Sequence, residues 1–208
     1  MTAACRIDVR KGLPFRIESP KIFEAMPPIS KNNLLYFITA VTHNRLPVFQ
    51  TDRLKKVLAD AFNEARISGG LKIFAYVIMA DHYHIITNGV RKPADVLRYL
   101  NGISARRVID DLKRSGYESS LNKLRREAGN GDHQYSLWEH HSNTFLITSE
   151  TMLMKKAFYI HQNPVEEGIV DNAGDYVYSS SRFWSRRPLL ESEPVEVDLK
   201  DLNWRQSR

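Results

Sequence analysis

The chain has 208 residues, 42% of them hydrophobic and 26% charged, with one cysteine and a formal net charge of +6. A single cysteine excludes an intramolecular disulfide framework and a cysteine-based zinc site. The longest apolar run, residues 73–80, is far shorter than the ~20 residues a membrane-spanning helix needs, and no apolar signal segment follows the first residues, so the expectation is a cytoplasmic protein with no membrane partner.

The charge is unevenly spread. Residues 189–208 hold five acids and three bases, which leaves 27 bases against 19 acids, or +8, on residues 1–188. A basic body suits an anionic partner such as nucleic acid, and the acidic end reads as a solvated tail.

Residues 1–33 are polar and punctuated by Pro14, Pro20, Pro27 and Pro28, the pattern of an irregular N-terminal arm. Residues 34–42 are β-branched and aromatic and read as the first strand. Thr51 is placed to cap a helix whose Leu54, Val57, Leu58, Ala61, Phe62 and Ala65 follow the helical period, and Gly69-Gly70 ends it. Residues 71–79 and 82–88 read as two strands separated by Ala80-Asp81, the spacing of a tight hairpin. Pro93 suits the first turn of a second helix, with Val96, Leu97, Leu100, Ile103, Val108, Ile109 and Leu112 turned inward.

Residues 115–134 are polar, with a short helical insert expected over 121–128. A fourth strand is expected over 135–138, extending toward 147. Ser149 is placed to cap a third helix, expected to end near Gln162 because Pro164 disfavours helix at Asn163. The order β-α-β-β-α-β-α implies an α+β, ferredoxin-like antiparallel sheet with an added C-terminal helix. It also implies a domain at 34–188, between an arm at 1–33 and an acidic tail at 189–208. Helices on one face would leave the other face for a ligand or for the added helix.

Two constellations carry possible chemistry. In His82-Tyr83-His84, strand alternation sends both imidazoles to one face and Tyr83 to the other. Two imidazoles so placed can hold a divalent cation, or they can be ordinary strand histidines. In Tyr159-Ile160-His161-Gln162-Asn163-Pro164, helical spacing puts Lys155, Tyr159 and Asn163 on one side while Leu153, Ala157 and Ile160 turn inward. Tyr159 there is either a nucleophile for phosphoryl transfer or an amphipathic residue at a helix end. His161 lies about 200° around the helix from Tyr159 and reads as structural or as a support behind the site. Tyr83, Tyr176 and Tyr178 read as packing residues.

Taken with the trailing Asp175-Tyr176…Ser179-Ser180, these blocks resemble the REP-associated tyrosine transposases, a group of the single-tyrosine HUH transposases. His82-Tyr83-His84 matches the family's His-hydrophobic-His motif, and Tyr159, Ile160, Asn163, Pro164 and Val165 match its Tyr-Ile-x-x-Asn-Pro-Val block. The resemblance spans about 34–184. It implies a DNA-cleaving and strand-transferring enzyme in which His82, His84 and Asn163 hold a metal and Tyr159 attacks a phosphodiester of single-stranded DNA, leaving a 5′-phosphotyrosine. Mg2+ or Mn2+ is the implied ion, since imidazoles suit transition ions better than magnesium. The implied partner is single-stranded DNA folded into imperfect palindromic hairpins, bound by a monomer or homodimer. A catalytically silent hairpin binder, or a nuclease of the relaxase or replication-initiator kind, would share much of this pattern.

Basic residues expected to grip the strand are Arg45, Arg106, Arg107, Lys113, Arg114, Lys123, Arg125, Arg126, Lys155, Arg182, Arg186 and Arg187. Phe183 and Trp184 are expected to stack bases, and His43 lies in a loop able to touch DNA.

Overall fold

The computed structural model describes residues 34–88, 91–126, 134–140 and 142–202. The N-terminal arm expected at 1–33 lies outside them. Its elements are β1 (Leu35–Val41), α1 (Asp52–Gly69), β2 (Ile73–Ile78), β3 (His82–Asn88), α2 (Pro93–Arg114), α3 (Glu118–Leu124), β4 (Asn143–Ile147), α4 (Glu150–Glu166) and α5 (Ser181–Ser185). The strands form one four-stranded sheet in the order β2-β3-β1-β4, and each neighbouring pair is antiparallel. This is the expected ferredoxin-like plan. None of the helices is long and apolar enough to cross a membrane among the described residues.

Local signals set most boundaries. Thr51 Oγ1 accepts a hydrogen bond from Leu54 N, and Gly70, at φ 62°, closes α1 in the left-handed conformation that glycine adopts most easily. Ser149 Oγ accepts from Met152 N at 3.1 Å to start α4. The β2–β3 turn closes with Met79 N donating to His82 O at 2.8 Å. Thr42, just beyond β1, holds that turn in place: its N–H and its hydroxyl both donate to Asp81 O.

Strand alternation then divides the side chains between two layers. On one face Tyr36, Ile38 and Ala40 of β1 join Tyr83 and Ile85 of β3 under α1 and α2. On the other, Leu35, Phe37, Val77 and Ile86 meet Leu153, Ala157 and Ile160 of α4. A bulge between Ile73 and Ala75 lets Phe74 and Ala75 both serve this second layer.

Expectations in three regions of the chain need correction. Residues 135–138 make only isolated bridges, Thr42 to Trp138 and Arg125 to Tyr135, and the fourth strand is Asn143–Ile147. Trp138 is drawn inward: its indole donates to Ser104 Oγ at 3.0 Å and its ring packs on Phe49 and Tyr83. The short insert is also displaced, to Glu118–Leu124.

The second correction is that α4 does not stop near Gln162 but runs through Pro164 to Glu166. Pro164 removes one backbone hydrogen bond, yet Asn163 and Pro164 are both buried. Asn163 Nδ2 donates to Tyr159 O at 2.7 Å, and Ile169 N and Val170 N both donate to Pro164 O beyond the helix. Packing and these bonds outweigh the local preference.

The third concerns the acidic end, which over residues 189–202 is a packed strap rather than a solvated tail. Val195 and Leu202 are buried. Arg66 pairs with Glu196 and Asp198, and Asp198 exchanges hydrogen bonds with Ile73 N and O at the edge of β2. Glu196 and Asp198 thus face specific donors and are structural partners for α1 and β2.

Candidate active site

The layer between the sheet and α4 is not filled to its end. A cavity of about 540 Å3 opens there, lined among others by His82, His84, Tyr159, Asn163, Lys156 and Phe145. Strand register assembles it: Thr39 of β1 stands opposite His84 of β3 on one side and Asn143 of β4 on the other, while Phe37 stands opposite Phe145. All of these project to the α4 face.

The histidine pair is held from behind. The rings of His82 and His84 lie 4.9 Å apart, centre to centre. His82 Nδ1 donates to Asp81 Oδ1 at 2.6 Å, and Asp81 Oδ2 accepts from Arg45 Nη1 at 3.1 Å. His84 Nδ1 lies 2.7 Å from Thr39 Oγ1. The opposite atom, His84 Nε2, is buried with no hydrogen-bond partner among the described residues. Burial, reinforced by neighbouring His82, pushes the His84 pKa down to about 3, against a raising influence from the Asn163 side chain. The ring is therefore neutral at ordinary pH and, with Nδ1–H on Thr39, offers a lone pair at Nε2.

Tyr159 completes the cluster. Its ring meets His84 edge-on at 5.1 Å and Phe37 at 6.1 Å, and it is 42% exposed, so a substrate can reach it. One turn on, Asn163 is buried, with its amide nitrogen spent on Tyr159 O; its oxygen is the atom left to coordinate. Two imidazoles with their outer nitrogens tied and inner nitrogens free, beside one amide oxygen, fit a Mn2+-type ion. Among the described residues no group of three His, Cys, Asp or Glu side chains is placed to hold a metal.

The structure thus brings His82, His84, Tyr159 and Asn163 together as expected, with Arg45 on the same cavity. The other expected basic residues lie elsewhere. Arg107 pairs with Glu64 across α1 and α2, where Arg106 also acts on Glu64. Arg125 covers Tyr135 at 5.8 Å; Arg187 pairs with Asp175, Arg182 reaches Pro188 O, and Arg186 caps α5. Lys123, Arg126 and Lys155 do not line the cavity either.

The lysine that does is Lys156, three residues before Tyr159 rather than four. Both spacings flank a helical residue, and only Phe37 and Phe145, from distant strands, decide between them. Trp184 is partly buried, and its indole donates to Phe74 O at 2.8 Å. Tyr83, Tyr176 and His161 are structural as expected, bonded to Asn101, Ile78 O and Ser180 respectively. Asp81 and Thr39 were not singled out from sequence. An acid directly before the first histidine was a visible signal; Thr39 becomes visible only through strand register.

Comparison with known proteins bears on this geometry. The model of the family described as "Transposase IS200 like" matches residues 30–124, which include the histidine pair and stop before Tyr159. A solved structure of a REP-associated tyrosine transposase bound to a REP hairpin is similar in fold, with a TM-score of 0.53, 17% identity, and coverage of 86% of this chain and 94% of that one. A provisionally assigned transposase from Deinococcus radiodurans R1 shares 21% identity over 62% of this chain and 91% of its own, at a TM-score of 0.41 too low to carry an argument. No curated protein matches the chain in sequence. Over residues 30–124 the chain is thus similar in sequence to the IS200-like transposases, and its fold is similar to that of a REP-associated tyrosine transposase.

Proposed function

We propose that this protein is a metal-dependent transposase and endonuclease that cleaves and rejoins single-stranded hairpin DNA through a 5′-phosphotyrosine. One observation carries the reading: an accessible tyrosine, Tyr159, stands edge-on to a buried, neutral histidine whose free nitrogen faces the same cavity. The hairpin as substrate is extended from the solved neighbour, which is bound to a REP hairpin. The +8 carried by residues 1–188 suits any nucleic acid.

His82, His84 and Asn163 would hold Mg2+ or Mn2+, which when bound supplies Lewis-acid stabilisation of charge on the scissile phosphate. The chain's own residues do the rest. Tyr159 Oη attacks phosphorus as the bond to the 3′ oxygen breaks; the phenol proton is lost and the departing oxygen gains one, leaving a 3′-OH. Attack of a 3′-OH on the phosphotyrosine reverses the step and rejoins the strand without an external energy source. Asp81 and Thr39 fix the two imidazole orientations, and Arg45 holds Asp81. The Lys156 ammonium adds positive charge where the phosphate backbone would lie.

The test is incubation with Mn2+ and labelled single-stranded hairpin DNA drawn from the gene's flanks. A denaturant-resistant protein–DNA adduct is expected, absent in Tyr159→Phe and in His82→Ala. An undiminished adduct in Tyr159→Phe overturns the assignment, and hairpin binding without any adduct identifies a silent binder.

A further inference from the structure

Phe145 presents an unexplained feature at the mouth of the cavity. It lies on β4, an outer strand of the sheet, and no further strand pairs with β4 among the described residues. It is 53% exposed, although a bare aromatic on an edge strand is a liability that soluble proteins usually avoid. Its ring stands 6.4 Å from Phe37. Lys156 Nζ sits over the same group, 4.4 Å from the Phe37 centroid, 5.4 Å from that of Phe145 and 5.7 Å from that of Tyr159. Lys156 makes no salt bridge among the described residues. An exposed π-face and an unpaired ammonium thus stand side by side, one ring beyond Tyr159.

We infer that Phe145 and Lys156 form a nucleotide subsite beside Tyr159, in which an unpaired base stacks on Phe145 and its phosphate meets the Lys156 ammonium. The subsite rests on the reading of the cavity as a single-stranded DNA site and says which residues seat the nucleotide flanking the cleaved bond. The chemistry matches the ligand in both halves: every base has a π-face for an aromatic ring, and every link carries an anion for a lysine. The row His84–Thr39–Asn143 leads across the sheet from the histidine pair to this edge, and Tyr159 and Phe145 both flank the Phe37 ring. A base in a duplex, stacked on both sides, has no free face to offer, so the subsite selects unpaired flanks.

The experiment uses the full chain carrying Tyr159→Phe, so that binding is read without cleavage, with two ligands: a hairpin alone and the same hairpin with a short single-stranded flank. The readout is the ratio of the two affinities, together with the fluorescence of 2-aminopurine placed in the flank. A flank-dependent gain of about 5- to 150-fold is expected, the worth of one base–aromatic stack. Phe145→Ala removes that gain and the quenching of the probe, and Phe145→Trp restores both. Lys156→Gln lowers the slope of log affinity against log salt by about 0.7 for the flanked ligand.

An unchanged ratio in Phe145→Ala overturns the subsite. So does a change in oligomeric state on sedimentation with no change in ratio, which would make Phe145 a contact between copies. The adduct assay on the unsubstituted chain reads the proposed function separately: an adduct with a flank-insensitive ratio sinks the subsite alone, and a flank-dependent gain without an adduct sinks the catalytic reading alone.

Discussion

The two faces of the sheet are built from the same strands and do different work. Toward α1 and α2 the layer is closed: Tyr76, Tyr83, Phe49 and Phe62 are fully buried. The Tyr83 hydroxyl is satisfied by Asn101 and the Trp138 indole by Ser104. Toward α4 the apolar packing of Leu153, Ala157 and Ile160 gives way to a cavity, a histidine nitrogen without a partner among the described residues and a half-exposed tyrosine. One face is closed by packing; the other opens on a cavity whose groups the first face must be stable enough to support.

That contrast can be broken most sharply by one substitution on each face. Phe62→Ala should cost about 3–5 kcal/mol in urea unfolding, by transfer and cavity terms together. Tyr159→Phe should leave stability within about 0.5 kcal/mol while abolishing the covalent adduct. A large stability loss in Tyr159→Phe would mean that the tyrosine is a packing residue after all.

Support behind the histidines comes next in size. Asp81→Ala should weaken Mn2+ binding about 10- to 100-fold in titration calorimetry, because His82 loses the acceptor that orients it. Unchanged affinity would place the metal elsewhere.

The closed face should also declare itself in alkali. Burial raises the Tyr83 pKa far above its ordinary 10.0. The folded state therefore keeps this proton after the unfolded state has lost it. The contribution is intact below about pH 10 and is lost as pH rises above it, by about 1.4 kcal/mol per pH unit for this residue. Tyr83→Phe should flatten that part of the stability profile; an identical slope would count against it.

The smallest effect separates two acids of the strap. Glu196, 70% exposed at its side chain, should contribute at most about 1 kcal/mol, read from Glu196→Gln. Asp198, 7% exposed, bonds both Arg66 and Ile73 N, so Asp198→Ala should cost more, about 1–3 kcal/mol. Equal losses would show that the strap acts through charge rather than through its buried contacts.

Much of this was legible in the sequence because it depends on local periods. Alternation alone sends His82 and His84 one way and Tyr83 the other, and helical spacing alone aligns Tyr159 with Asn163. Caps at Thr51 and Ser149 and the two-residue turn at Ala80-Asp81 needed nothing beyond neighbouring residues. The fourth strand was misplaced because Trp138 answers to Ser104 on α2, a partner no local pattern reveals. The end of α4 was misplaced because burial of Asn163 and Pro164 outweighs a backbone preference.

The sequence by itself therefore determined the order of elements, the face each functional side chain takes, and the basic body. Only the tertiary structure decided which cation joins the site, Lys156 and not Lys155. It also showed that Trp184 is an anchor, that Phe145 stands open, and that the acidic end is a strap. The physical reason is common to these cases. Direction along a strand or helix is set by the backbone's own period, whereas the company a side chain keeps is set by register between strands distant in sequence and by what is left to be buried.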